Sequence, residues 1–252
     1  AFDTLASILM AYPLLVESTV RFKILPPGVT AALLLVTALV HATAASRREL
    51  RPTGWIATFA ALGTGLLLMG ATHALEPFLT VLFALGLGLL WFATDARWEG
   101  LRWPAALAVD LGVVVVAVLA SWEGGAPEAY KNLSPTLAMG FALLLLIAYV
   151  GTFAWRLLKQ EARAGVFEWA QTILALLAGL GGALRVATSH GAGGGAVGVL
   201  AVLGGLGCYA AGRAFTDHTE GTRWNFTYFG LLAMALLILG GVHLAMRAPK
   251  PD

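Results

Sequence analysis

Three polar side chains stand out because each lies inside a stretch too apolar to hold it cheaply: Asp110, His41 and Gln171. An ionisable group in a hydrocarbon layer costs free energy unless it is paired, protonated or wetted, so its position calls for a functional hypothesis. Asp110 falls about seven residues into an apolar run that opens near 103, which is roughly 10 Å deep at the rise of a helix. His41 lies at a comparable depth from the far end of its own run, and Gln171 enters a third run at a similar level. A carboxylate, an imidazole and an amide in one layer can relay protons or hold a small polar ligand. The same groups can instead form a buried hydrogen-bonded cluster that orients helices.

Other candidates have plainer readings. Arg185, His190, His73, Glu76 and His243 sit near the opposite ends of their runs, where long side chains reach water. His41 and His243 belong to opposite levels, so a bis-histidine haem fails on geometry. A single axial histidine for chlorophyll or haem stays open, and no other cofactor is expected. Asp217, His218 and Glu220 read as a solvated loop. The single cysteine, Cys208, excludes an internal disulfide framework and any multi-cysteine metal centre. It reads as a small hydrophobe within a helix. The chain contains no HExxH, GxSxG or phosphate-binding loop, and no acidic pair at metal-binding spacing, so no metal site and no catalytic residue is assigned.

The elements that position these groups follow from composition. Apolar residues make up 59% of the 252 positions and charged residues 12%. A soluble domain carries about 25% charged residues to cover its surface with groups that water solvates. Too few are present here, so most of the outer surface faces lipid. The net charge of +2 and the lack of a basic tract exclude nucleic acid as a partner. A span needs roughly twenty apolar residues, because a helix rises about 1.5 Å per residue through about 30 Å of hydrocarbon. Eight segments qualify: 28–46, 54–72, 76–94, 103–121, 135–155, 167–189, 194–215 and 225–246. A ninth, 2–20, carries Asp3, Pro13 and Glu17, and is expected to span, with Glu17 pairing to Arg21 one turn on. The expected fold is therefore an all-α polytopic membrane protein of eight or nine transmembrane helices, a single transmembrane domain over 1–252. The chain opens on Ala1 with no signal peptide in view, which suggests a piece of a longer or processed protein.

Charge orients the spans. Arg47, Arg48 and Arg51, then Arg97 and Arg102, then Arg156, Lys159 and Arg163, then Arg213 and Arg223 fill alternate loops. The positive-inside rule places these loops in the cytoplasm and the C-terminus, with Arg247 and Lys250, outside. Seven of the eight tryptophans fall on the same face: Trp55, Trp91, Trp98, Trp103, Trp155, Trp169 and Trp224. Only Trp122 falls on the other. An interfacial indole belt accounts for this, and a docked partner or pigment layer is the sharper alternative.

Internal matches suggest a parallel duplication. Trp55-Ile-Ala-Thr58 recurs as Trp169-Ala-Gln-Thr172, continuing through Ala61/Ala175, Leu62/Leu176, Gly65/Gly179 and Leu66/Leu180. Val81-Leu82 with Leu85-Gly86 recurs as Val199-Leu200 with Leu203-Gly204, and Pro27 and Ser134-Pro135 open corresponding spans. Repeat 1 then covers about 1–95, repeat 2 about 103–215, and 225–246 is an extra helix. Small residues four apart let helices approach closely in lipid. Gly204, Cys208 and Gly212 form one such stripe, Gly207 and Ala211 a second, Ala178 and Gly182 a third. They predict a tight hairpin of 167–189 with 194–215, turning at 191–195.

Repeated Ala/Leu/Gly hairpins opening at Ser-Pro or Pro-Pro, with a Trp-x-x-Thr helix start, resemble certain large bacterial polytopic membrane proteins of unknown function. The resemblance covers most of the chain and implies a bacterial inner membrane, but no substrate or active site. The expectation is a non-catalytic membrane subunit or scaffold packing against other membrane proteins. A transporter or channel built on the polar layer around Asp110 is the alternative, and a pigment- or haem-associated subunit the second.

Overall fold

A computed structural model describes residues 2–92, 98–159, 163–191, 193–213 and 223–247, and every regular element among them is helical. The helices are α1 (Phe2–Val16), α2 (Pro27–Arg47), α3 (Arg51–Thr72), α4 (Leu75–Phe92), α5 (Arg102–Ala120), α6 (Pro135–Lys159), α7 (Val166–Ser189), α8 (Gly194–Arg213) and α9 (Arg223–Arg247). All but α1 are long and apolar enough to cross a membrane, which makes the chain an all-α polytopic protein set in a lipid bilayer. Helix α1 runs on into a π-helical turn, Glu17–Arg21, and α7 contains a second, Leu176–Gly181.

Local chemistry sets the helix ends. Proline opens α2 and stands in the first turn of α3, where its missing N–H costs nothing and its fixed φ suits the helix. Before α6, the Ser134 hydroxyl accepts from the Leu137 N–H at 3.4 Å. Gly165 precedes α7, and the Glu168 carboxylate turns back to accept its N–H at 2.9 Å. Gly191 and Gly193 adopt φ of 66° and 78° in the turn before α8, a region side-chain-bearing residues avoid.

The chain folds as two compact units that divide within α5: residues 1–116 with 127–131, and residues 117–126 with 132–252. In the first unit α2 packs against α1, α3 and α4. Leu34, Leu68, Phe78, Leu79 and Leu82 form its fully buried centre. Gly112 of α5 sits so close to α4 that an added Cβ would lie 2.8 Å from Leu79 Cδ1. Two indoles close one end reciprocally, with the Trp98 ring against Gly54 and the Trp55 ring against Gly100.

In the second unit α6 packs on α7, and α8 runs along α9. The wider π turn of α7 lies where it meets α6 backbone to backbone, since a Cβ on Gly179 would stand 2.8 Å from the Ala142 carbonyl oxygen. The expected hairpin of α7 with α8 needs correction: the extensive partner of α8 is α9, the helix that the duplication leaves over. The small residues explain why. Gly198, Ala201, Gly205, Cys208 and Gly212 share the buried face of α8. Gly198 meets Leu244 and the Gly240 carbonyl, Gly205 meets Leu237 and the Ala233 carbonyl, and Gly212 meets Phe229. Of the expected stripes, Cys208 and Gly212 lie in this seam, while Gly204 is exposed at its edge, 3.7 Å in Cβ contact with Leu236. Gly207 faces outward with nothing within 4 Å of an added Cβ, and Ala211 is half-buried. On α7, Ala178 is buried and Gly182 lies against Ala117 and Ala142.

Candidate functional site: polar pairs between helices

Helix α1 turns Thr4, Ile8, Tyr12 and Thr19 inward, while Phe2, Leu9, Met10 and Leu14 face outward. The four- and seven-residue spacing is one helical face. Against that face α2 sets His41, which is buried. Its Nε2 lies 3.1 Å from the Ser7 hydroxyl and its Nδ1 3.4 Å from the Tyr12 hydroxyl, with the two rings tilted at 5.6 Å between centroids. Both ring nitrogens are thereby taken. One must donate and the other accept if the imidazole is neutral, and either hydroxyl can play either part. Toward the other end of the same helix pair, the Thr19 and Thr30 hydroxyls meet at 2.7 Å. The α1–α2 seam is thus bonded at both ends by side chains.

His41 was expected beside Asp110 and Gln171. Its bonding partners instead come from α1. Asp110 is buried near the middle of α5, on the face that carries Ala106, Val109 and Val113, and does not point to lipid. Gln171 is buried in α7 of the second unit.

The second unit holds a comparable set that sequence reasoning passed over. The Thr172 and Tyr228 hydroxyls meet at 2.6 Å, both buried, and Trp169 packs edge-on to the Tyr228 ring at 5.0 Å. Buried Asn225 accepts the Ala164 N–H at 3.0 Å, tying the start of α9 to the segment before α7. Arg156 of α6 faces Glu168 of α7 at 3.7 Å. The available signal was Asn225 and Tyr228 at i, i+3 on one face of α9, beside a Thr that directly follows Gln171.

Toward the opposite ends of the helices, His190 Nε2 lies 2.8 Å from the Ala120 carbonyl oxygen and donates to it. His73 meets the Tyr130 ring edge-on at 4.9 Å. Glu17 pairs with Arg21 at 3.9 Å between exposed groups, worth at most a few tenths of a kcal/mol. Among the described residues His243 Nε2 is sealed from solvent and makes no hydrogen bond. Arg185 is exposed. Trp91, Trp103, Trp122, Trp155 and Trp224 are exposed, as an interfacial belt requires, whereas Trp55, Trp98 and Trp169 are half-buried against other groups. Asp217, His218, Glu220, Arg97 and Lys250 lie outside the described residues.

Compared with known proteins, the chain matches no family model, no curated protein and no solved structure.

Proposed function

We propose that this chain is a non-catalytic membrane subunit, a helical scaffold that packs against other membrane proteins in a bacterial inner membrane. The observation that carries this reading is the use of its buried polar groups. Tyr12 and His41, with Ser7 at the exposed edge of the pair, Thr19 and Thr30, and Thr172 and Tyr228 are spent on bonds from one helix to another. Interhelical hydrogen bonds of this kind hold and register helices in lipid, where no hydrophobic drive separates one helix surface from another. Helices α8 and α9 are the least covered of the eight long apolar helices, and their outer surface includes the open site at Gly207, where a neighbouring helix can approach. On this reading α1 is a ninth span, because beyond Asp3 and Ser7 its outward side chains are apolar and its inward ones grip α2. The Arg-rich ends then face the cytoplasm. Extraction in mild detergent after cross-linking in the native membrane tests the proposal. The chain should run in a complex with other polytopic proteins. Recovery solely as a 26.3 kDa monomer would overturn it.

A second reading, a transporter, is favoured by one observation: Asp110 is buried well inside α5, the most enclosed of the long helices. A carboxylate at that depth is costly unless it serves a purpose.

A further inference from the structure

The sharp corner between α2 and α3 carries three arginines in five residues, Arg47, Arg48 and Arg51, all exposed. None of the three makes a side-chain hydrogen bond or ion pair among the described residues. One carboxylate, Glu49, lies in the same stretch, so the corner is net positive. We propose that this corner is a binding site for the phosphate of an anionic phospholipid, held by the guanidinium groups of Arg47, Arg48 and Arg51.

The backbone of the corner is fixed before any ligand arrives. Glu49 adopts a left-handed conformation, φ 53°, and the Leu50 N–H returns to the Ala45 carbonyl at 3.0 Å, closing α2 as a Schellman turn. The Gly54 N–H reaches the Leu50 carbonyl at 3.1 Å and starts α3 at once. Three guanidinium groups therefore radiate from a short rigid hinge, which reduces the ordering cost of binding. Guanidinium presents paired N–H donors that match phosphate oxygens, and it is less strongly hydrated than an ammonium group.

The level of the corner follows from the helices it joins: α2 and α3 are both long and apolar enough to cross the bilayer, so the turn between them lies at the headgroup layer, where lipid phosphates are. A cation near an anionic lipid surface contributes about 1 kcal/mol. That corresponds to roughly fivefold in affinity for each arginine removed. A free phosphate would meet the same donors but has no acyl chains to hold it at this depth.

The test uses the full chain in detergent, titrated with phosphatidylglycerol or with phosphatidylcholine of the same acyl chains, and read by native mass spectrometry. The wild type should retain phosphatidylglycerol in preference to phosphatidylcholine. The variant Arg47→Gln/Arg48→Gln/Arg51→Gln should lose that preference while eluting as a helical, monodisperse protein. Should the triple variant fold poorly, Arg48→Gln alone should weaken phosphatidylglycerol binding about fivefold. Equal retention of the two lipids by the wild type, or an undiminished preference in a folded variant, overturns the proposal. So does loss of the preference on adding millimolar inorganic phosphate, which would assign the corner to a free anion.

Discussion

The imidazole of His41 on α2 lies 3.1 Å from the hydroxyl of Ser7 on α1, and its other nitrogen is held by Tyr12. A span whose own ionisable group is consumed by its neighbour in this way is being registered. Interhelical hydrogen bonds in lipid average about 0.6 kcal/mol and reach about 1.7. An orphaned buried hydroxyl costs about 1–3 kcal/mol. His41→Phe removes both bonds and orphans the buried Tyr12 hydroxyl, so the orphan governs the outcome. We expect it to lower the thermal midpoint in detergent more than Tyr12→Phe does. The two changes should be non-additive, with a coupling of about 0.5–1.5 kcal/mol. Additive midpoints would show that the contact contributes nothing.

The α8–α9 seam yields a paired prediction. A leucine at Gly205 must displace Leu237 or the Ala233 carbonyl, which an added Cβ would meet at 2.8 and 3.1 Å. Gly205→Leu should cost at least the 1–3 kcal/mol typical of overpacking. Gly207→Leu, two residues further along the same helix, meets no atom within 4 Å and should leave the melting curve of the isolated chain unchanged. Equal melting of the two variants would refute the packing face assigned to α8.

These two glycines also show what the sequence could and could not reveal. Span count and limits were legible, because apolar length is a one-dimensional property and lipid demands it. The existence of a small-residue face on α8 was legible too. Its phase was not: in Gly204-Gly205-Leu206-Gly207-Cys208 several stripes have the right spacing, and only the bulky residues of α9 select the one through Gly205. His41 was legible as buried and polar, but Ser7 and Tyr12 were not, since they lie on a helix about 30 residues away. The duplication rests on the sequence matches alone, and α8 seated on α9 gives it no further support.

The proposed sidedness rests on the distribution of arginine and lysine and is checked by labelling. Cys208 is buried and is first replaced by alanine. Single cysteines at Arg48 or Lys159 should be protected from an impermeant thiol reagent added to intact cells, and one at Lys131 should react. Reaction at Arg48 and protection at Lys131 would reverse the orientation.

Asp110 separates the scaffold from the transporter. The carboxylate lies about 12 Å along α5 from its first residue, well inside the hydrocarbon if α5 spans. It is buried among helices and does not face lipid. A carboxylate in such a place is neutralised by a proton, a partner or water, because an isolated charge is too costly. Asparagine has nearly the same shape and keeps most of the hydrogen bonds, but it cannot titrate. As a packing element, Asp110→Asn should therefore fold and melt within about 1 kcal/mol of the wild type, whereas Asp110→Leu strips buried partners of their bonds and should cost about 1–3 kcal/mol. Proteoliposomes carrying an imposed pH gradient supply the second measurement. For a scaffold, the wild-type chain dissipates the gradient no faster than empty vesicles, and Asp110→Asn changes nothing. Gradient dissipation by the wild type that Asp110→Asn abolishes, in a variant that still melts normally, would replace the scaffold reading with proton transport through α5.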